Sequence, residues 1–415
     1  MSNVITATEY CFSVFDGTHD SPKQSQIGYP LITSKHLSNN SLDIKNAYLI
    51  SEFDYKDINK RSKVSQWDIL FSMIGTVGEV YLEKNNDVCY AIKNIGVFSC
   101  KDEDRAKWLY YYLKSPIAKK HIKRYLNGAV QKFLPLSALR EFPVLDFNQN
   151  SKLLTRLISF LDEKIIINNR INAELEAMAK TLYDYWFVQF DFPNEEGKPY
   201  KSSGGKMVYN TTLKREIPVM FSEGVLDNLG QIVGGSTPDT KDCDNFCIKG
   251  VPWITPNDLS NNQGNKYILK GEKNVSDKGI KSASLKKYPL GTVLLTSRAP
   301  IGYMAIARKE FTTNQGFKSF IPNKGYPTDF VYYTIKNSLS IIIQFASGST
   351  FKEISTTVLK TVPIVLPPLH IVKDFTNKIY SLTKKQNILE QECSELRNLR
   401  DWLLPMLMNG QVTVK

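Results

Sequence analysis

The chain has 415 residues, too many for one ordinary hydrophobic core, so two or three domains are expected. Its 42% hydrophobic and 23% charged residues are typical of a folded soluble protein, and no apolar run approaches the roughly 18 residues of a membrane-spanning helix. The net charge of +12 favours a polyanionic partner, nucleic acid or an anionic membrane surface, while a start without a basic-then-apolar leader predicts a cytoplasmic protein that does not enter a membrane.

Residues 1–150 predict a first globule of mixed α+β structure. Short apolar runs alternate there with Gly, Asn, Asp and Ser. Residues 69–72 and 77–82 have the composition of strands, and residues 108–125 have the pattern of a helix.

Residues 151–187 predict a first long helix with a coiled-coil seam. Apolar residues recur there in alternating steps of four and three, which keeps them on one side of a helix. The predicted seam residues are Ile158, Leu161, Ile165, Leu175 and Leu182.

Residues 188–220 are rich in Gly, Pro, Asp and Asn and predict a linker. Residues 221–368 then predict a second globule, with residues 293–295 and 303–307 as its clearest strands.

A second long helix is predicted over residues 369–410. The seam spacing returns here, displaced by 221 residues. Its seam residues are Ile379, Leu382, Leu389, Leu396 and Leu403. Four seam positions are polar and either fix the register of the two helices or face solvent. These are Asn168, Asn172, Gln386 and Arg400.

The repeat extends beyond the helices. Residues 30–33 match residues 252–255 at an offset of 222, and residues 128–133 match residues 348–353 at an offset of 220. Such an ordered series indicates duplication. We therefore expect an α+β protein of two similar globules, joined by two long antiparallel helices around a pseudo-two-fold axis.

Catalytic motifs are missing from the sequence. It lacks a phosphate-binding G-x-x-x-x-G-K-[ST] loop, a nucleophile elbow and an H-E-x-x-H zinc motif. The methyltransferase pattern of Asn or Asp, two prolines and an aromatic residue is also absent. Cys243 and Cys247 have no neighbouring Cys or His to complete a zinc site. We therefore expect a non-catalytic protein without a metal site.

The loops carry side chains suited to DNA. Asn and Gln can pair bidentately with adenine, and Arg and Lys can reach guanine or phosphate. Candidate contacts in the second globule are Ser236, Thr237, Arg298, Asn314, Gln315, Lys318, Ser349 and Lys352. Candidate contacts in the first are Thr18, His19, Ser72 and Lys132. Taken alone, each loop is also explained by an ordinary turn or a solvated loop.

Several motifs together resemble the specificity subunit of type I restriction-modification systems, over nearly the whole chain. They are Phe190-Asp191-Phe192-Pro193, Gly234-Gly235-Ser236-Thr237-Pro238, Pro252-Trp253-Ile254-Thr255-Pro256, Ser297-Arg298-Ala299-Pro300-Ile301-Gly302 and Thr313-Asn314-Gln315-Gly316-Phe317-Lys318. The first globule matches more loosely than the second.

The resemblance implies two target-recognition domains, each binding one half of a split DNA sequence. It implies that the helices set the gap between the half-sites and dock two methyltransferase (modification) subunits, with restriction (motor-nuclease) subunits joining the complex. S-adenosylmethionine, ATP and Mg would then bind the partners and not this chain. Two other classes stay open: a coiled-coil scaffold that joins only proteins, and a self-contained nuclease or methyltransferase, against which the missing motifs argue.

Overall fold

The computed structural model describes residues 4–38, 41–126, 133–298, 300–346 and 353–408. The chain separates into two compact units. The first unit comprises Met1–Ile165 and Glu395–Lys415, and the second comprises Ile166–Ser394. Both contain helices and strands, so the α+β class is confirmed.

Among its described residues the first unit contains eleven strands and, before α6, five α-helices. The strands are β1 (Val4–Thr6), β2 (Ser13–Asp16), β3 (Tyr29–Thr33), β4 (Leu37–Ser38), β5 (Ser41–Leu42), β6 (Leu49–Ile50), β7 (Asp68–Ser72), β8 (Val80–Leu82), β9 (Ala91–Lys93), β10 (Ile95–Ser99) and β11 (Pro143–Leu145). The helices are α1 (Ala7–Tyr10), α2 (Glu52–Ser62), α3 (Glu103–Lys114), α4 (Pro116–Tyr125) and α5 (Leu136–Arg140). They are followed by the long helix α6 (Gln149–Tyr183).

An antiparallel sheet in the order β2-β10-β7-β8 forms the centre of the first unit. Every residue of β7 is buried because successive side chains point to opposite faces and both faces are covered. Ile69 and Phe71 pack into one apolar cluster and Leu70 into another. A smaller sheet, β6-β3-β9, pairs β3 with β9 in parallel.

The helix predicted over residues 108–125 is two helices in the structure. Asp102 accepts a hydrogen bond from the Arg105 N–H at 2.8 Å and begins α3. Ser115 ends α3 and caps α4, and Pro116 occupies the first turn of α4. Proline fits the first turn of a helix but not its interior, so the break lies where the sequence requires it.

Among its described residues the second unit contains twelve strands and, between α6 and α11, four α-helices. The strands are β12 (Met207–Asn210), β13 (Arg215–Pro218), β14 (Ser222–Val225), β15 (Gln231–Gly234), β16 (Phe246–Ile254), β17 (Tyr267–Ile268), β18 (Lys273–Val275), β19 (Val293–Leu295), β20 (Met304–Ala307), β21 (Thr312–Thr313), β22 (Lys318–Ile321) and β23 (Pro363–Leu366). The helices are α7 (Pro256–Asn261), α8 (Asp277–Ser282), α9 (Thr328–Gln344) and α10 (Thr356–Lys360). The chain then enters the long helix α11 (Leu369–Met408).

The sheets of the second unit repeat those of the first. Its main sheet has the order β15-β22-β19-β20-β17, of which the first four strands follow the order β2-β10-β7-β8. The sheet β18-β16-β21 corresponds to β6-β3-β9, including its one parallel pairing, and the pair β14-β23 corresponds to β1-β11. The duplication seen in the sequence is therefore a duplication of topology.

Residues 188–220 differ from the predicted linker. Phe190, Phe192 and Tyr200 are buried in the main apolar cluster of the second unit, and β12 and β13 form a hairpin. Asp191 accepts hydrogen bonds from the Ser202 N–H and hydroxyl, both at 2.7 Å. Turn-forming residues shape this segment, but aromatic packing holds it against the unit.

The two long helices run antiparallel in the second unit. Asn168 lies near one end of this helix pair and donates from Nδ2 to Glu392 Oε2 at 2.9 Å. Tyr183 lies near the other end, with its ring centroid 5.9 Å from that of Phe375. In the first unit the same helices are joined by Arg400 Nη1 and Asp162 Oδ1 at 2.7 Å.

The predicted seam side chains differ in how deeply they are buried. Four are buried: Ile158, Ile165, Ile379 and Leu389. Six are half-buried: Leu161, Leu175, Leu182, Leu382, Leu396 and Leu403. Among the polar seam positions, Asn168, Asn172 and Gln386 are buried, so they do not face solvent.

Candidate nucleic-acid interface

Two loops meet at the end of β15 in the second unit. The Ser236 N–H donates to the carbonyl of Thr313, the last residue of β21, at 3.0 Å. The Thr237 hydroxyl donates to Gln315 Oε1 in the turn that follows β21. A Cβ on Gly235 would overlap the Thr313 carbonyl, so this close approach requires glycine. The sequence brings Ser236, Thr237 and Gln315 to one surface.

Asn314 completes this turn. Its side-chain Oδ1 accepts from the Gly316 N–H at 2.9 Å, which leaves the amide nitrogen as a donor. Asn314 is half-buried and Gln315 is exposed. The two amides therefore stand side by side at the surface, as the sequence predicted. Each side-chain oxygen already accepts one hydrogen bond, that of Asn314 from the Gly316 N–H and that of Gln315 from the Thr237 hydroxyl.

The first unit contains an equivalent pair of loops. The Thr18 N–H donates to the Ile92 carbonyl at 3.1 Å, and a Cβ on Gly17 would overlap that carbonyl. His19 Nδ1 lies 2.8 Å from Asn94 Oδ1. Gly17, Thr18 and His19 thus correspond to Gly235, Ser236 and Thr237 at an offset of 218, and Asn94 corresponds to Gln315 at an offset of 221.

Asn94 and its neighbour Lys93 were missed by sequence reasoning. Asn94 is half-buried, has a positive φ of 53° and forms the turn opposite His19. Lys93 donates to the Ser21 hydroxyl across the same loop pair. The signal that could have found both was the offset of 221, which maps Asn314 and Gln315 onto Lys93 and Asn94.

A charged cluster extends the surface of the second unit. Glu353 lies between two predicted cations: its carboxylate is 3.8 Å from Arg298 Nη1 and 3.8 Å from Lys318 Nζ. Lys318 pairs with Gly234 in the β15–β22 ladder, which places it beside the Gly235 loop. Arg298, Lys318 and the two loops therefore form one surface, and Glu353 is a member that the sequence did not predict.

Ser72 is a correction to the predicted contacts. It is fully buried, donates to the Thr76 carbonyl at 2.6 Å and accepts from the Glu79 N–H at 2.8 Å. Thr296 makes the same two bonds in the second unit, to the Pro300 carbonyl at 2.7 Å and from the Tyr303 N–H at 2.9 Å. A hydroxyl used in this way shapes the turn and is not available to DNA.

The other predicted contacts divide into two groups. Thr18 is buried, and its hydroxyl accepts a hydrogen bond from the Asp20 N–H at 3.1 Å. Thr18 therefore occupies the same place in its loop as Ser236, but its side chain is not at the surface. Lys132, Ser349 and Lys352 lie outside the described residues.

An equivalent tyrosine attaches each globule to α6. The Tyr111 hydroxyl donates to Asp162 Oδ2 at 2.9 Å in the first unit. The Tyr333 hydroxyl donates to Glu176 Oε2 at 2.9 Å in the second, where Lys336 also donates to Glu176 at 2.6 Å. Burial, reinforced by the carboxylate, raises the pKa of both tyrosines and keeps their hydroxyls as donors. These contacts attach α3 to α6 in the first unit and α9 to α6 in the second.

Neither a metal-binding cluster nor a membrane-spanning helix is present among the described residues. In those ranges no group of three or more His, Cys, Asp or Glu side chains is arranged to hold a metal ion. In the same part of the chain, no helix combines the length and apolar character needed to cross a membrane.

Comparison with known proteins agrees with the repeated fold. The family model described as type I restriction modification DNA specificity domain matches residues 18–177 and 218–396. The MjaIX specificity subunit of Methanocaldococcus jannaschii is 38% identical over 198 residues, covering 46% of this chain and 45% of that protein. The HindI specificity subunit of Haemophilus influenzae is 27% identical over 305 residues, covering 62% of this chain and 66% of that protein. These alignments thus span less than two thirds of either relative.

A solved structure shares the fold. The crystal structure of the type I restriction-modification S subunit from M. genitalium superposes with a TM-score of 0.56 at 14% identity, covering 98% of this chain and 95% of that one. The family model matches both repeats and most of the chain. The chain therefore belongs to the type I restriction-modification DNA specificity subunit family.

Proposed function

We propose that this chain is the non-catalytic DNA-specificity subunit of a type I restriction-modification complex, in which each unit recognises one half of a bipartite DNA target. The observation that carries the proposal is the repeated loop pair. Gly17 to His19 face Asn94 in one unit, and Gly235 to Thr237 face Gln315 in the other. Two equivalent surfaces on one chain suit two half-sites on one duplex.

The chemistry of these surfaces suits the major groove. Asn314 and Gln315 offer amides for adenine, and Arg298 offers a guanidinium for guanine. Lys318 and the excess of basic residues, 53 against 41 acidic, supply contacts to phosphate. This combination distinguishes the proposal from a protein-only scaffold, which would show no salt-dependent DNA affinity.

The long helices are proposed to set the gap between the half-sites. The 35 residues of α6 correspond to a length of about 52 Å at roughly 1.5 Å per residue. The buried Asn168 fixes the register of the helix pair, because a shift would separate its amide from the Glu392 carboxylate on α11. A fixed register would give one spacer length.

Exposed apolar side chains on the helices support docking of two methyltransferase subunits. Ile167, Ile171 and Met178 on α6 are 54%, 38% and 56% exposed in the second unit. Adding 221 to Ile167 gives Ile388 on α11, which is 49% exposed and also lies in the second unit. Two related apolar surfaces fit two copies of one partner. In this proposal restriction subunits join the same complex, and S-adenosylmethionine, ATP and Mg bind the partners.

Replacing Asn314 and Gln315 with alanine together tests the proposal. Binding of the assembled complex to its specific site should weaken by about 1–3 kcal/mol for each good amide–base pair, because base contacts are lost while phosphate contacts remain. Non-specific binding should change little. Asn337→Ala, at an exposed position on α9, is the control and should bind as the unchanged protein does.

Fluorescence anisotropy at several salt concentrations would measure both kinds of binding. Equal specific binding by the double variant and the unchanged protein would exclude these amides as base contacts. An affinity that does not depend on salt would favour the scaffold instead.

A further inference from the structure

One backbone bridge occurs in both units with different side chains. Arg298 bridges Glu353 in the second unit, and Ile74 bridges Phe133 in the first. The offsets between these residues are 224 and 220, as elsewhere in the repeat. Ile74 lies two residues after Ser72, and Arg298 lies two residues after Thr296. Each therefore lies in the turn that the buried hydroxyl closes. The two pairs therefore occupy the same place in the repeated fold.

The pair in the second unit is polar and accessible. The side chains of Arg298 and Glu353 are 37% and 43% exposed, and their charged atoms are 3.8 Å apart. That distance is longer than a hydrogen bond, so the separation leaves the guanidinium and the carboxylate able to bond elsewhere. Arginine donates to O6 and N7 of guanine, and a carboxylate accepts from N4 of cytosine. Side by side, the two groups match the major-groove edge of one G·C pair.

The pair in the first unit is apolar and equally accessible. Phe133 is 42% exposed and Ile74 is half-buried. In the strand ladders Lys318 pairs with Gly234, and Gly96 pairs with Asp16 at the equivalent place in the first unit. The first unit therefore lacks this cation. In the major groove an apolar side chain of this kind contacts the C5-methyl group of thymine.

Fold stability does not explain the difference. The bridge forms in the first unit without any charge, so the backbone does not require an ion pair. An exposed ion pair contributes only about 0.2–1 kcal/mol to stability.

We propose that this position determines specificity in both units through opposite chemistry. Arg298 and Glu353 select a G·C pair in the half-site of the second unit, and Phe133 with Ile74 selects a thymine methyl group in the half-site of the first. The inference rests on the proposed function, because it assumes that each unit binds one half-site.

The test uses base analogues in the specific duplex, bound by the full chain in complex with its methyltransferase subunits. Deoxyuracil lacks only the methyl group of thymine, and 7-deazaguanine lacks only the N7 acceptor of guanine. At one position each, uracil should weaken binding about fourfold, the loss expected for one buried methyl group, and 7-deazaguanine should weaken it about tenfold, the loss expected for one base-specific hydrogen bond.

Variants assign each effect to a residue. Phe133→Ala should bind more weakly and no longer distinguish uracil from thymine, and Arg298→Ala should no longer distinguish 7-deazaguanine from guanine. Phe133→Leu keeps an apolar contact and should keep the preference for thymine, which separates this role from a loss of folding. Each variant serves as the control for the other half-site.

Failure of this inference can be distinguished from failure of the proposed function. If the complex binds a bipartite site but Phe133→Ala and Arg298→Ala keep the same sensitivity to the analogues as the unchanged chain, the inference is overturned and the proposed function stands. The inference is likewise overturned, and the proposed function kept, if the complex binds its site but no analogue at any position weakens binding. If the complex shows no site-specific binding at all, both are overturned.

Discussion

Glu390 on α11 binds the backbone of Lys266 and of Tyr267, the first residue of β17 in the second unit, and its replacement by alanine should destabilise that unit. Its carboxylate accepts hydrogen bonds from the N–H groups of Lys266 at 2.8 Å and Tyr267 at 3.0 Å, and from Arg308 Nη2 at 3.0 Å. The side chains of Glu390 and Arg308 are 2% and 9% exposed. A buried donor left without a partner costs about 1–3 kcal/mol, so three donors imply a loss of about 3–5 kcal/mol after partial relaxation.

Hydrogen exchange combined with chemical denaturation would measure this loss. Glu390→Ala should accelerate exchange of the Lys266 and Tyr267 amides and lower the free energy of unfolding at pH 8, where the group is ionised. Glu174→Ala removes an exposed carboxylate from α6 and should change stability by less than about 0.5 kcal/mol. Unchanged exchange at both amides, or a loss no larger than that of the control, would refute the reasoning.

The same residue gives a pH dependence with a defined sign. Burial raises the pKa of Glu390 from its ordinary value of 4.5 to about 7, against the opposing effect of its hydrogen bonds. The folded protein therefore holds this proton more tightly than the unfolded chain. The resulting stabilisation is fully present below pH 4.5 and is lost as the pH rises through about 7. It amounts to roughly 3 kcal/mol at most, and Glu390→Gln should lack it.

Three further predictions concern single positions. Gly235→Ala should weaken specific DNA binding at least about tenfold, because its Cβ would overlap the backbone of the facing turn. Gly234→Ala has room for a Cβ and should bind DNA as the unchanged protein does. Anisotropy titrations would compare the two variants. Ser72→Ala should lower the free energy of unfolding by about 1–2 kcal/mol without changing base preference, since its hydroxyl only shapes a turn; a changed preference would restore it as a contact. Ile167→Glu should abolish co-purification with the methyltransferase subunits without lowering the melting temperature, and retention of the partner would remove this surface from the proposed interface.

The repeat was predictable from sequence because it rests on spacing. An offset of 224 relates β7 to β19, and one of 218 relates Thr18 to Ser236. The structure shows the same order for four strands in the main sheet of each unit. The seam residues were also predictable from the sequence, because residues spaced three and four apart lie on the same side of a helix.

What the sequence could not provide depends on contacts between distant segments. Ser72 resembles an exposed hydroxyl at a strand end, and only the turn that closes over it shows that both of its hydrogen bonds are used. Glu353 becomes part of the candidate interface through Arg298 and Lys318, 55 and 35 residues earlier in the chain. Residues 190–200 have the composition of turns, but their aromatic side chains pack on a core that local sequence does not show.

The central claim is that two units of one chain recognise two half-sites. Methylome sequencing of cells that express this chain with a type I modification subunit tests it most directly. We predict a new split motif with adenine methylation on both strands, which would identify both half-sites and the spacer. No new methylation, in cells where the same modification subunit is active with another specificity chain, would contradict the account.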